Sequence, residues 1–374
     1  MTKKILFLTG TRADFGKIKS LVQILEQASG FEVFVAVTGM HLQKEYGYTL
    51  IEIERCGFKN IHTFENHTHE TTMDLTLAKT IEGLSAHVKQ ISPDMIIVHG
   101  DRVETLAGAI VGSLNNILVA HIEGGELSGT VDELIRHSVS KLSHVHFASN
   151  QEAAARLVQM GEMESSIYTI GSPDVDIMFS DALPELKTAK EYYEIAFEDY
   201  AVAMFHPVTT EASHMELYAK EFVKSLENDD HNYIIIFPNN DLGSRFIIDA
   251  YDSLKGNPRF RIFPSLRFEY FLSLLKNAQF IIGNSSAGIR EAPYYGIPII
   301  NIGTRQQNRA LHADIINVDY ASDAISEVLK TIDSHKNSNA APDFGTGNSA
   351  DLFFKYLNDE SIWAINHQKQ FKNL

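Results

Sequence analysis

"DMIIVHGDRVETLAGAIVGSLNNILVAHIEGG", residues 94–125, reads as strand, helix, strand. Its two apolar runs, MIIV and ILVA, are continuous rather than alternating, and each stops at a polar tail, HGDR or HIEGGE. A strand that is apolar on both sides is buried on both faces, which calls for helices above and below a parallel sheet. Outward from this unit the pattern repeats. KILFLTG and FEVFVAVTG precede it and HVHFASN follows, with helical patterns such as DFGKIKSLVQILEQ in between.

A second series begins after GSPDVDIMFSDALPELK: YAVAMFHP, YIIIFPNND, RFRIFPS, QFIIGNSS and PIINIGT, separated by helical patterns such as FEYFLSLLKNA. At 374 residues the chain also exceeds the size at which a single hydrophobic core stops growing. The expected fold is α/β, with two doubly wound Rossmann-like domains and an interdomain cleft. The first is expected over 1–171 and the second over 172–350, followed by a C-terminal helix in 351–374, with 172–190 as a hinge. Ligands bind such sheets beyond the carboxyl ends of the strands, so the polar tails are where function is sought.

Composition narrows the classes. Hydrophobic residues make up 44% and charged residues 21%, as in a folded globular enzyme, and the net charge of −16 argues against nucleic-acid or anionic-membrane partners. Cys56 is the only cysteine, which rules out an intrachain disulfide and a thiolate metal cluster; it is expected as a small buried residue. The apolar stretch after Lys3-Lys4 is too short for a signal-peptide core, and no run approaches the roughly 18 residues a spanning helix needs. The expectation is a cytoplasmic protein, in which the tripeptides at Asn66 and Asn284 carry no glycan.

TGTRADFGK, residues 9–17, places Arg12 and a helix start after a strand, a setting for an anion; Asp14 is read alternatively as a helix cap. It lacks both the full dinucleotide and the P-loop signatures. GNSSAGIREAP, residues 283–293, offers the Ser285 and Ser286 hydroxyls at a helix start for a diphosphate and Glu291 for ribose hydroxyls; the alternative is an ordinary serine cap. NIGTRQQNR supplies Arg305 and Arg309, whose forks suit phosphate.

HGDR brings Asp101 to a strand end, where partial desolvation makes a carboxylate useful as acid or base; capping of the next helix is the alternative. HIEGGELSGTVDELIRH, residues 121–137, adds Glu123 at the tip of the next strand and Asp132 at a helix start. Here Thr130 and Glu133 read as a capping box, and Asp132/Arg136 and Glu133/His137 as i,i+4 pairs. With His206 arriving from the second series, Asp101, Glu123 and Asp132 suit acid–base work without a metal, since no H-E-x-x-H or facial triad is present.

Taken together and in this order, TGTRADFGK, VTGMH, HGDR, HIEGGELSGTVDELIRHSVSKLSH, FHPVTTE, FPNND, GNSSAGIREAP and GTRQQNR resemble the UDP-N-acetylglucosamine 2-epimerases, nearest to the bacterial hydrolysing branch of sialic acid biosynthesis. The resemblance implies a GT-B type fold. It also implies uracil and ribose near Arg267, Phe268, Ser285, Ser286 and Glu291, and the diphosphate near Arg12, Ser285, Ser286 and Arg305. Asp101, Glu123 and Asp132 fall at the family's catalytic carboxylates, with His206 beside the leaving diphosphate as a third cation after Arg12 and Arg305.

The implied reaction loses the C2 proton and UDP to give a 2-acetamidoglucal, then adds water; it moves no hydride and needs no NAD. EGGELSGTVDE in place of an EAGLR-type stretch favours hydrolysis over return of UDP. A sister group acts on UDP-2,4-diacetamido-2,4,6-trideoxyglucose; a GT-B glycosyltransferase and a nucleotide-sugar sensor are the other readings. The family assembles as homodimers or homotetramers, which is the expectation here.

Overall fold

A computed structural model describes residues 2–67, 72–181, 183–307, 315–335, 344–370 and 372. The chain divides into two compact units, one of Met1–Leu127, Asp132–Asp181 and Asp343–Leu374, the other of Ser128–Val131 and Ala182–Pro342. The first unit thus extends past residue 171 to Asp181, because the helix Pro173–Met178 packs on the helix Arg12–Gln27 of that unit.

The first unit holds seven parallel strands: β1 Lys3–Thr9, β2 Phe31–Val37, β3 Ile61–Thr63, β4 Met95–His99, β5 Leu118–Ile122, β6 Val145–Ala148 and β7 Ile167–Thr169, in the order β3-β2-β1-β4-β5-β6-β7. Every residue of β4 and β5 is buried, as continuous apolar runs require. Between them runs the helix Val103–Leu114, held close by two glycines one turn apart. A Cβ on Gly108 would sit 2.5 Å from Val98 Cγ1, and one on Gly112 would sit 2.3 Å from Val119 Cγ2. Any side chain there would push the helix off the sheet.

The helix Arg12–Gln27 buries Phe15, Ile18, Leu21, Val22 and Leu25, the i, i+3, i+4 stripe of an amphipathic helix. The C-terminal segment closes the same core. Phe353, on the helix Ser349–Leu357, packs edge-on to Phe147 at 5.0 Å and near Phe7 at 6.4 Å. Asp176 caps that helix, accepting from the Ser349 and Ala350 amides at 2.8 and 2.7 Å.

The second unit holds six parallel strands: β8 Ala201–Met204, β9 Tyr233–Ile236, β10 Phe260–Phe263, β11 Ile281–Gly283, β12 Ile299–Ile302 and β13 Ile315–Val318, in the order β10-β9-β8-β11-β12-β13. Phe205 and Phe222 stack at 4.8 Å in its core. Among the described residues no helix is long and apolar enough to cross a membrane. Cys56 is half-buried rather than buried, its thiol donating to the Glu52 carbonyl at 3.3 Å.

Candidate functional site

Each sheet reverses its strand order once, between β1 and β4 and between β8 and β11. At such a reversal the loops leaving adjacent strands diverge and open the crevice in which doubly wound sheets bind ligands. In the first unit these loops are residues 10–11 and 100–102; in the second they are 205–208 and 284–286.

The tails leaving β4 and β5 converge on one buried arginine. Arg136, on the helix Thr130–Leu142 and only 3% exposed, forms an ion pair from Nη2 with Asp101 and donates from Nη1 to the Glu123 carbonyl at 2.6 Å. The register that pairs His99 with Ile122 sends the two strand tails out side by side, and the guanidinium joins them. Glu123 has a φ of +63°, a left-handed conformation that costs a non-glycine residue about 1–3 kcal/mol. In that conformation its Oε1 accepts from the Ser172 hydroxyl, and its Oε2 lies 3.1 Å from His99 Nε2.

His99 Nδ1 lies 2.9 Å from Asp14 Oδ1, and the other Asp14 oxygen accepts from the Gly10 amide at 3.2 Å. Asp14, His99, Glu123 and Ser172 therefore form one polar chain, buried but for the half-buried Asp14. Burial opposes charge on His99, but Glu123 and Asp14 on either side outweigh it and hold the ring up to about 9. Where burial outweighs nearby charge the shift reverses: it pushes His41 down to about 3 despite Asp14, and His121 well below its usual value.

A raised histidine makes stability depend on pH. With a folded value of about 9 against an ordinary 6.5, His99 contributes fully below pH 6.5, and the contribution is lost as pH rises through 9. The denaturation midpoint of the first unit is expected to fall between pH 6.5 and 9, followed by the fluorescence of Trp363, the sole tryptophan, which packs on that core. Asp14→Asn should shift the fall to lower pH; an unchanged profile in the variant would exclude this origin.

Several local expectations change. Asp101 pairs with Arg136, and Arg102, not Asp101, occupies the cap position of the next helix. Thr11 caps the first helix by accepting from the Asp14 amide at 3.1 Å, which leaves Asp14 to hold His99. Thr130 has a φ of +56°, outside the extended conformation of a cap, and Glu133 reaches His137 at 3.2 Å. Asp132 lies one turn before Arg136 on the same helix and is half-buried. Arg12 opens the first helix, with Nη2 3.9 Å from Glu52 Oε1.

In the second unit the loops meet at Asn284, fully buried just past β11. Its Oδ1 accepts from the His206 amide at 2.6 Å and its Nδ2 donates to the His206 carbonyl at 2.9 Å. Its own carbonyl accepts from Arg305 Nη1 at 3.2 Å and Gln306 Nε2 at 3.0 Å. Glu211 steadies the loop bearing Arg305, taking the Thr304 hydroxyl at 2.6 Å and the Tyr320 hydroxyl at 2.9 Å.

Ser285 and Ser286 follow Asn284, but only a single helical turn, Ala287–Arg290, opens after them, with Ser285 Oγ accepting from the Ala287 amide at 3.3 Å. Glu291 is buried at 3% exposure. Arg267 and Phe268 start another helix; the Arg267 guanidinium lies over the Tyr192 and Tyr270 rings at 4.9 and 5.6 Å, and Phe268 is buried. Arg309 lies outside the described residues.

The UDP-N-acetylglucosamine 2-epimerase family matches residues 23–358. A UDP-N-acetylglucosamine 2-epimerase of Neisseria meningitidis serogroup B is 48% identical over 375 residues, covering 100% of this chain and 99% of that protein. A UDP-N,N'-diacetylbacillosamine 2-epimerase (hydrolyzing) of Legionella pneumophila is 31% identical, covering 96% of each chain. In architecture the chain is similar to a Methanocaldococcus jannaschii UDP-GlcNAc 2-epimerase crystallised with UDP-GlcNAc and UDP, with a TM-score of 0.78, 22% identity and coverage of 95% of this chain and 99% of that one.

Proposed function

The chain belongs to the UDP-N-acetylglucosamine 2-epimerase family, and from that premise we propose that it is the hydrolysing form, converting UDP-GlcNAc and water to N-acetylmannosamine and UDP, the opening step of sialic acid synthesis. The observation that carries the reading is the pair of strand-end carboxylates in unlike settings. Asp101 faces a guanidinium, whereas Glu123 faces a histidine and a serine hydroxyl. Inverting C2 needs one group to take a proton and another to return one on the opposite face, and unlike surroundings are what separate acid from base.

In the first stage a carboxylate of the first unit takes the C2 proton while the C1–O bond breaks, its electron pair leaving with UDP and a 2-acetamidoglucal remaining. In the second stage water adds at C1 and C2 is protonated from the other face. Asp132 is the third carboxylate in this reading. The second unit is assigned the nucleotide, with Arg305, His206 and the two serines at the diphosphate, Arg267 and Phe268 at the base, and Glu291 at the ribose; Arg12 is assigned to the diphosphate from the first unit. Assembly as a homodimer or homotetramer belongs to the same reading and rests on family resemblance.

Incubation with UDP-GlcNAc alone, without acceptor, metal or NAD, is expected to yield free UDP and N-acetylmannosamine. UDP-N-acetylmannosamine as the sole sugar product would overturn the hydrolytic reading. The likeness to the Legionella enzyme supports a second substrate, the UDP-diacetamido sugar, and the ratio of kcat/KM for the two in parallel decides between them.

A further inference from the structure

We propose that Asn239 and Asn284 fix His206 as a one-proton imidazole that offers its Nε2–H to the departing diphosphate as a directed hydrogen-bond donor, not as a cation; the donor's target rests on the reading just given. His206 stands two residues past β8, beside β11 at the strand-order reversal of the second unit. Its backbone is held by a single planar amide: Asn284 takes the His206 N–H at 2.6 Å and returns a bond to the His206 carbonyl at 2.9 Å. Asn284 is itself anchored, its N–H donating to the Met204 carbonyl at 3.0 Å. These bonds extend the β8–β11 pairing past the end of the ladder, so the ring stands on a rigid base.

The ring's proton is placed by a second partner. The Asn239 backbone N–H donates to His206 Nδ1 at 3.0 Å. A backbone amide can only donate, and it cannot swivel away as a hydroxyl can, so Nδ1 is an acceptor and carries no proton. The single N–H of the imidazole is then at Nε2. A proton at Nδ1 would set N–H against N–H and strand a half-buried amide.

Asn284 couples this ring to the positive charge. Its carbonyl receives Arg305 Nη1 at 3.2 Å, so one buried residue fixes both the neutral donor and the guanidinium. The labour is divided: Arg305 neutralises, and His206 aims. An imidazole bearing only Nε2–H does not hand that proton to a phosphate oxygen, because an imidazolate would remain. UDP therefore leaves with the C1–O electron pair and takes no proton from His206, and the Nε2–H bond tightens as charge builds on the oxygen. This replaces the expectation that His206 serves as a third cation.

The test reads the ring directly. In protein labelled with 15N-histidine, the His206 signals, assigned by their loss in His206→Gln, are expected to show a protonated Nε2 and an unprotonated Nδ1 near neutral pH, with and without UDP. A doubly protonated ring, or a proton on Nδ1, overturns the proposal without touching the assigned reaction. Kinetics test the role. His206→Ala is expected to lose about 10²–10³ in kcat, as when an oxyanion donor is removed. His206→Gln, whose amide can reach the Nε2 position, should recover most of that loss, and His206→Lys should not. Recovery by lysine but not glutamine would overturn the donor role in favour of a cation. A wild-type rate in His206→Ala would instead overturn the diphosphate assignment, leaving the tautomer to stand on the spectra.

Discussion

Replacing Glu123 by glutamine is expected to lower kcat by about 10²–10⁴ while leaving UDP affinity unchanged, the loss usual for a positioned acid or base. The substitution keeps the size of the side chain and its capacity to accept from Ser172, so the strand end should survive. It removes the charge, and with it one of the two carboxylates that hold the His99 proton. Apart from Arg12, nucleotide recognition is assigned to the other unit, so a calorimetric Kd for UDP should match that of the parent. A loss of turnover below tenfold would remove Glu123 from the mechanism, and a matching loss of UDP affinity would mean that the substitution had disturbed the fold.

Arg136→Met is expected to destabilise the first unit by about 3 kcal/mol, because it removes the buried member of an ion pair that ties two strand ends. Two groups lose a donor at once, the Asp101 carboxylate and the Glu123 carbonyl. Trp363 sits on the same core with its indole N–H held by the Leu357 carbonyl at 2.9 Å, so its fluorescence during denaturant unfolding reports this unit. Arg136→Lys keeps the charge but not the fork, and should recover part of the stability while remaining slow. An unfolding midpoint in Arg136→Met equal to that of the parent would exclude the arginine as the anchor of both strand ends.

The central strands were legible because burial on both faces writes itself as an unbroken apolar run: β1, β2, β4, β5 and β6 in the first unit, β8, β9, β11 and β12 in the second; the edge strand β10 was legible instead as the alternating RFRIF. β3, β7 and β13 escaped. All three are edge strands with exposed or half-exposed positions, and IHT, IYT and IINV carry neither a long apolar run nor a clean alternation. Asp101 and Glu123 were legible as carboxylates at strand ends, since such ends face the ligand side of the sheet.

Their partners were not. Arg136 reaches Asp101 across 35 residues of sequence, and His99 reaches Asp14 across 85. Both contacts depend on strand register and helix placement rather than on any local pattern. Asn284 was hidden for another reason. Inside GNSSAG the serines look like the functional side chains, and only the closeness of β8 to β11 turns the asparagine into the hub.

The arginine that joins the two strand tails also constrains how this sequence can change. Losing Asp101 takes one balancing anion from a buried cation, whereas losing Arg136 takes a donor from an anion and from a carbonyl at once. Mutational effects at positions in one such network do not add. A drifting lineage that alters position 101 therefore meets a fitness valley unless position 136 changes with it, and Glu123, whose carbonyl rides on the same guanidinium, is drawn into the linkage. Positions 101, 123 and 136 are best treated as a single unit of inheritance, to be exchanged together in recombination or library design.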